Sequence, residues 1–409
     1  MKKWYCLIKE SLGLTKHCMV RVIGFIAFLL AISCSDDPVH TYSKDLELLS
    51  AQTEIIELTT NDQQARIVIA PGYQGKIVTS TFSGLEGQSN GWLDRTALNN
   101  GNSTGGDVGG EDRLWIGPLG GQFSFYFQQI KPIADSNWLV PPTMNNQSYQ
   151  LISKSESDVL LVKKMHLVNF IGTEFDVEIY RNVSILSKDS INSYMGIELG
   201  DEMNFVAFES SHNLINTGRE SWKKETGLVS IWSAGMYEGS DNAVVVIPLN
   251  TSVALENIYQ YLGPLDESRL KIKDGFLLFK TDGKYRSKIG IPSSIAPSIY
   301  GCFNASKNRL TIVQYKQSND SLYFNSEVSV QEHPYQGESI PIYNHGLMDY
   351  QPTNEFSFYE LESTSAMREL EPGDSINHFH RVYHFSGEDR ELDVISKQIL
   401  GIALEKIKI

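Results

Sequence analysis

The sequence predicts an all-β fold of stacked antiparallel sheets with few short helices. From residue 54 onward, short runs rich in β-branched and aromatic residues recur between Gly, Asn, Asp, Ser and Pro clusters. Helical patterns are confined to two segments, 43–52 and 392–404. The predicted strands include 66–69, 76–80, 123–127, 159–163, 175–180, 243–247, 275–280, 310–315 and 356–361. So many strands need a second sheet to cover each apolar face, and the pattern alone does not choose between a sandwich and a barrel.

Residues 1–33 have the pattern of a lipoprotein signal peptide. A basic region precedes an apolar run at 22–32 that is too short to cross a bilayer. The run ends in Ser33-Cys34, which predicts cleavage before Cys34 and lipidation of that cysteine, whether translation starts at Met1 or Met19. An ordinary signal peptide is the alternative. We expect a tether at 34–44 and a single folded domain at 45–409.

The chain is acidic, with a net charge of −14. Residues 1–33 hold five basic residues and one acidic residue, so their removal leaves −18. Such a charge disfavours nucleic acid as a partner and disfavours electrostatic docking on anionic lipid. Together with the predicted lipidation of Cys34, this indicates a protein of the cell envelope, on the surface or the periplasmic side of the outer membrane. Its contact with the membrane would be through the lipid anchor only.

The segment 356–386 is the most informative about function. Glu360 and Glu362 stand two residues apart on a predicted strand, so both side chains leave the same face. Phe356 and Phe358 share that face. Carboxylates beside aromatic rings suit a pocket for a polar ligand with an apolar side, such as a sugar ring.

The same segment resembles the C-terminal part of the aldose 1-epimerases (galactose mutarotases). The resemblance rests on Leu361-Glu362, on LEPGD at 370–374 and on YHF at 383–385. It implies a β-supersandwich, whose first hairpin would be residues 65–84, and it assigns Glu362 the role of catalytic base. Thr364 stands where the family carries a Gln.

Two further segments extend this resemblance. SHNLIN at 211–216 is similar to the segment with the general-acid histidine of the family. It implies that His212 donates a proton to the ring oxygen while Glu362 accepts one from the anomeric hydroxyl. The family also places a substrate-binding Arg in a Gly-rich loop, which Arg113 matches, and Trp115 offers a stacking surface beside it. The structural alternatives are a hydrogen-bonded core histidine for His212 and an ion pair in a loop for Arg113.

Glu360 and His333, the latter in an aromatic loop at 332–338, complete the expected substrate-binding set. His378, His380 and His384 invite a metal site, with the first two on one strand face. The matching strand of the mutarotases binds no metal, so we expect neither a metal ion nor a cofactor.

The wider chain resembles a group of uncharacterised bacterial lipoproteins with a galactose mutarotase-like fold. The segments that carry this resemblance lie at 109–127, 230–237, 332–338 and 358–363. It implies the fold and no activity. Three classes of function therefore remain: an aldose epimerase-type enzyme acting at an anomeric centre, a non-catalytic glycan-binding surface lipoprotein, and a glycosidase. The glycosidase is the least favoured, because Glu360 and Glu362 point the same way and cannot flank one bond.

Overall fold

The structure, a computed structural model, describes residues 41–101, 106, 108–127, 129–250, 252–318, 320–347 and 357–409. The predicted signal peptide at 1–33, the lipidation site Cys34, most of the tether and Phe356 lie outside these residues. No helix among those described is both long and apolar enough to cross a membrane.

Antiparallel strands dominate the described chain. Their bounds are β1 Ile56–Thr59, β2 Arg66–Ala70, β3 Lys76–Thr81, β4 Arg113–Gly117, β5 Gln150–Lys154, β6 Asp158–Val168, β7 Glu174–Ile185, β8 Asn204–Asn216, β9 Ser230–Glu238, β10 Ala243–Pro248, β11 Tyr259–Gln260, β12 Leu270–Lys273, β13 Phe276–Lys280, β14 Ser287–Pro292, β15 Ile299–Asn304, β16 Arg309–Tyr315, β17 Glu338–Asn344, β18 Phe358–Thr364 and β19 Ser375–Ser386. They form a three-stranded sheet in the order β1-β2-β3, a ten-stranded sheet in the order β12-β13-β10-β15-β16-β19-β8-β7-β6-β5, and a six-stranded sheet in the order β11-β14-β17-β18-β9-β4.

The helices are short. They are α1 Tyr42–Ser50, α2 Arg95–Asn99, α3 Pro142–Asn145, α4 Lys188–Met195 and α5 Asp389–Ile399, with 3-10 turns at Asp135–Asn137, Leu255–Asn257, Ala305–Lys307 and Leu404–Lys406. Helix α4 is capped at its start by Ser187, whose hydroxyl accepts a hydrogen bond from the Ser190 N–H, and at its end by Gly196, which has a φ of 65°. Helices α4 and α5 share one apolar cluster with a face of the ten-stranded sheet.

The main core lies between the six-stranded and ten-stranded sheets. On β8 the even-numbered residues from 206 to 216 are buried, as expected for a strand with one face in the core. Their partners across the interface come from the six-stranded sheet: Ser233 Oγ on β9 lies 3.3 Å from His212 Nε2 on β8. Residues from Thr41 to Ile409 cluster into one unit.

The prediction of an all-β sandwich with few short helices is confirmed. The hairpin predicted at 65–84 is β2 and β3, and the two predicted helices correspond to α1 and α5. The strand predicted at 123–127 is wrong, because that segment consists of turns and bends. Phe125 and Tyr126 are buried in the main core, so the aromatic residues there mark a loop that packs inward rather than a strand.

Candidate functional site

A pocket of about 450 Å³ lies on the face of the six-stranded sheet that is turned away from the ten-stranded sheet. Directly paired residues of antiparallel strands project to the same face. The register aligns Lys288, Tyr343, Glu360 and Met236 in one row across β14, β17, β18 and β9. This row forms part of the pocket floor.

The next rows bring the other predicted residues to the same face. Glu362 is paired with Ala234, which is paired on its other side with Arg113. Trp232 and Trp115 form the row after that. The described residues that line the pocket are Gly106, Arg113, Trp115, Leu119, Trp138, Val140, Asn145, Trp232, Met236, Tyr261, Leu262, Arg286, Lys288, Ser326, Val328, Tyr343, His345, Phe358 and Glu360.

Arg113 is held in the floor by two contacts. It donates a hydrogen bond of 2.7 Å to Glu360 Oε1, and its guanidinium lies 4.0 Å from the centroid of the Trp115 ring. Both charged side chains are less than a tenth exposed. Arg113 Nε and Trp115 Nε1 are buried and have no hydrogen-bond partner within the described residues. The ion pair and the ring contact therefore fix the guanidinium of Arg113 in the pocket floor.

The Gly-rich segment before β4 explains how Arg113 reaches this position. Gly109 and Gly110 adopt φ angles of 80° and 125°, which side-chain-bearing residues rarely tolerate. A Cβ at Gly109 would lie 2.2 Å from the Trp92 carbonyl oxygen. The glycines therefore allow the tight backbone turn that leads into β4.

Glu362 projects from the pocket face of the sheet but is buried there and does not line the pocket. Its side chain is fully buried; Trp232 Nε1 donates to Oε2 at 2.7 Å, and Lys288 Nζ lies 3.3 Å from both carboxyl oxygens. Burial raises the pKa of the Glu362 carboxyl to about 7, although the charge of Lys288 lowers it, and the Glu360 carboxylate raises it further. This carboxyl therefore titrates close to neutral pH.

Aromatic rings stand on both sides of the Arg113–Glu360 pair. On the β4 side, the rings of Trp115 and Trp138 have centroids 5.7 Å apart, and Trp138 stacks on Tyr126 at 5.4 Å. On the β17 side, Phe358 and His345 stack with centroids 4.5 Å apart. Charged groups between flat apolar surfaces match the polar edges and apolar faces of a sugar ring.

The structure separates His212 from Glu362. His212 is 1% exposed and lies between the sheets, with Nε2 3.3 Å from Ser233 Oγ and 3.3 Å from Arg181 NH1. Glu362 on β18 is paired with Ala234 on β9, so these two residues project from the same face of the six-stranded sheet. Ser233 is the neighbour of Ala234 along β9 and therefore projects from the opposite face. Burial lowers the pKa of His212 well below its ordinary value, and the nearby Arg181 charge lowers it further. The expected arrangement, with His212 and Glu362 on either side of one sugar ring, is therefore not the arrangement of this structure.

His333 also lies away from the pocket lining. Its side chain is 62% exposed on the loop before β17, beside the exposed Glu332. His345 lines the pocket instead, and burial lowers its pKa. Sequence reasoning also missed Lys288, which stands at the start of β14 after Arg286 and Ser287 and carries no local signal of burial.

The three histidines that were considered as metal ligands belong to a polar layer inside the core. His378 Nε2 and His380 Nδ1 each lie 2.8 Å from Ser363 Oγ, and His384 Nε2 lies 2.9 Å from Glu111 Oε2. Burial lowers the pKa of His378 to about 3 and that of His380 to about 4. Within the part of the chain that is described, no group of three or more His, Cys, Asp or Glu side chains is arranged to hold a metal ion.

One family model matches the chain over most of its length, and this match shows the family. The chain belongs to DUF6786, a family of unknown function. The match covers residues 40–409, which include every residue of the pocket. No curated protein matches the chain.

Several solved structures are similar in the arrangement of the chain. A galactose mutarotase-like protein from Lactobacillus casei ATCC 334 has a TM-score of 0.47 and 10% identity over 81% of this chain and 100% of its own. The Slr1438 protein from Synechocystis sp. PCC 6803 has a TM-score of 0.47 and 12% identity over 82% and 96%. A candidate aldose 1-epimerase from Escherichia coli K12 has a TM-score of 0.46 and 9% identity over 81% and 99%. Such identities are too low to transfer the role of any residue.

Proposed function

We propose that this protein is a carbohydrate-binding protein and that the pocket on the six-stranded sheet holds a sugar unit. The observation that carries the proposal is the Arg113–Glu360 ion pair, 2.7 Å long, set between aromatic rings on two sides. The ion pair offers a donor and an acceptor to neighbouring hydroxyls, while the rings cover the apolar faces of the sugar.

The test begins with a glycan array, followed by calorimetry with the sugar that binds. Trp138 is 36% exposed and stacks at the pocket wall, so Trp138→Ala removes ligand contact at small cost to the core. We expect it to weaken binding by up to about tenfold, since one aromatic contact contributes roughly 0.5–1.5 kcal/mol. Leu139→Ala is the matched control, because Leu139 is 50% exposed and does not line the pocket. Equal loss in both variants, or no sugar bound by the wild type, would refute the proposal.

A second candidate function is an aldose epimerase-type reaction with Glu362 as base. The pKa of about 7 for this buried carboxyl favours it, because a general base works best with a pKa near the working pH. Against it, His212 faces the other side of the sheet, and Lys288 contacts Glu362 directly rather than across a ligand.

Anomer exchange separates the two functions. NMR exchange spectroscopy would follow free glucose and galactose with the wild type and with Glu362→Gln. A binding protein gives no exchange above buffer with either protein. Accelerated exchange that Glu362→Gln abolishes would establish the enzyme instead.

The proposal includes a lipid-anchored location in the cell envelope. It is supported by the apolar run at 22–32 that ends in Ser33-Cys34 and by the acidic charge of the remaining chain. A sugar-binding protein held in this way would meet glycans outside the inner membrane.

A further inference from the structure

The pocket has a polar half and an apolar half. The polar half is the row of Lys288, Tyr343 and Glu360, continued along the strands by Arg286 and His345. The other half lies past Trp115, toward the C-terminal end of β4. Its described lining is mostly apolar: Trp115, Leu119, Trp138, Val140 and Val328, with Asn145 and Ser326 as the polar residues of the same segments.

Hydrogen bonds hold together the loops that form the apolar half. The Gly121 N–H donates to the Val328 carbonyl oxygen at 3.0 Å, which ties the segment after β4 to the loop before β17. Gln331 N donates to Gln122 Oε1 at 3.0 Å beside it. Backbone and side-chain bonds of this kind hold the apolar walls at a fixed spacing.

Trp138 forms another part of this lining, and its ring is held in place as well. Its ring is nearly parallel to that of Tyr126, with an interplanar angle of 4°, and Tyr126 donates to the Ile116 carbonyl oxygen at 2.9 Å. Trp138 therefore presents a flat, partly exposed surface with Trp115 beside it. Flat aromatic walls at a fixed spacing favour a flat apolar group by offset stacking.

A single sugar would make few favourable contacts with the apolar half. Hydroxyls project from every edge of a hexose, so placing them against Leu119, Val140 and Val328 removes water without replacing its hydrogen bonds. A volume of about 450 Å³ is in the range of pockets that hold drug-sized molecules, which are larger than one hexose.

Resting on the proposed function, we propose that the ligand is a glycoside with an aromatic aglycone. Its sugar lies at Glu360 and Arg113 with one end against the Trp138 ring, and its aromatic group extends past that ring toward Trp115, Leu119 and Val328. The two parts of the ligand thus match the two halves of the pocket.

The test compares matched pairs of small glycosides by calorimetry. The probes are the methyl and phenyl β-glycosides of glucose, galactose, mannose and xylose, with phenol as a further control. For at least one sugar, the phenyl glycoside should bind the wild type ten or more times tighter than the methyl glycoside. Val328→Ser, alone and with Val140→Ser, should reduce this ratio to about threefold or less. Val330→Ser should leave it unchanged, because Val330 is 68% exposed and lies outside the pocket lining.

The outcomes separate this inference from the function on which it rests. Measurable binding of methyl glycosides with a phenyl-to-methyl ratio near one overturns the inference and leaves sugar binding intact. Phenol that binds as tightly as a phenyl glycoside also overturns it, because the apolar half is then independent of the sugar. No binding of any glycoside overturns both. The wild-type ratio decides the matter even if a valine variant does not fold.

Discussion

Replacing Glu362 with Gln is expected to change how the stability of this protein depends on pH. The carboxyl is fully buried, and burial raises its pKa from 4.5 to about 7 in the folded state. A raised folded-state pKa means that the folded protein binds the proton more tightly than the unfolded chain does. The stability that this carboxyl contributes is therefore fully present below pH 4.5 and is lost as the pH rises through 7.

The size of the effect follows from the two pKa values. Between pH 5 and pH 8, the folded state gives up its proton while the unfolded chain is already largely ionised. The wild type should lose about 2.5 kcal/mol of stability through this group over that interval. Gln keeps the shape and the oxygen that accepts from Trp232, yet does not titrate. Titratable groups that both proteins share contribute equally to the two free energies of unfolding and cancel in their difference.

The assay is urea unfolding of both proteins at pH 5, 6.5 and 8. The free energy of unfolding of the wild type, measured relative to Glu362→Gln, should fall by about 2.5 kcal/mol from pH 5 to pH 8. Glu332→Gln serves as the control, because the Glu332 side chain is 89% exposed and should show no such trend. A difference between wild type and Glu362→Gln that stays constant across the pH range would refute the reasoning about the buried carboxyl.

Three further predictions concern the core and the N-terminus. Burial holds the pKa of His378 at about 3 in the folded state, below the ordinary 6.5, so acid favours the unfolded chain. In the same urea series, the free energy of unfolding of the wild type should therefore fall by about 2 kcal/mol more than that of His378→Gln from pH 7.5 to pH 5. Arg181→Met leaves the fully buried Asp112 without the cation 3.4 Å away and should cost about 3–5 kcal/mol, measured by thermal unfolding; a cost below about 1 kcal/mol would contradict this view of the polar layer. Cys34→Ala should remove the protein from the membrane fraction of cells, and a processed variant that still fractionates with membranes would exclude lipidation at Cys34.

The parts of the site that depend on local alternation were predictable. A strand has a period of two, so Glu360 and Glu362 share a face whatever sheet they join. Arg113 and Trp115 share a face for the same reason, but the sequence predicts Arg113 in a Gly-rich loop, whereas the structure places it at the start of strand β4. The structure adds that these strands are neighbours of β9, which brings all four to one face. The all-β fold was predictable for a similar reason, since its strands carry their pattern in the sequence.

The position of His212 was not predictable from its own segment. Its strand β8 lies in the ten-stranded sheet, whereas β18 with Glu362 lies in the six-stranded sheet. Which sheet a strand joins is decided by partners far away in the sequence, and that choice places His212 behind the pocket floor. Lys288 was missed for the same reason, because its partner Glu362 is 74 residues away.

The central claim is that the pocket on the six-stranded sheet is where a sugar binds. The most direct measurement is a crystal structure of the wild-type protein grown with the sugar that binds best on a glycan array. The account predicts a sugar ring in the pocket, with hydroxyl oxygens within hydrogen-bond distance of Arg113 or Glu360 and one face of the ring against an aromatic side chain. A sugar bound elsewhere on the protein, with this pocket empty, would contradict the account.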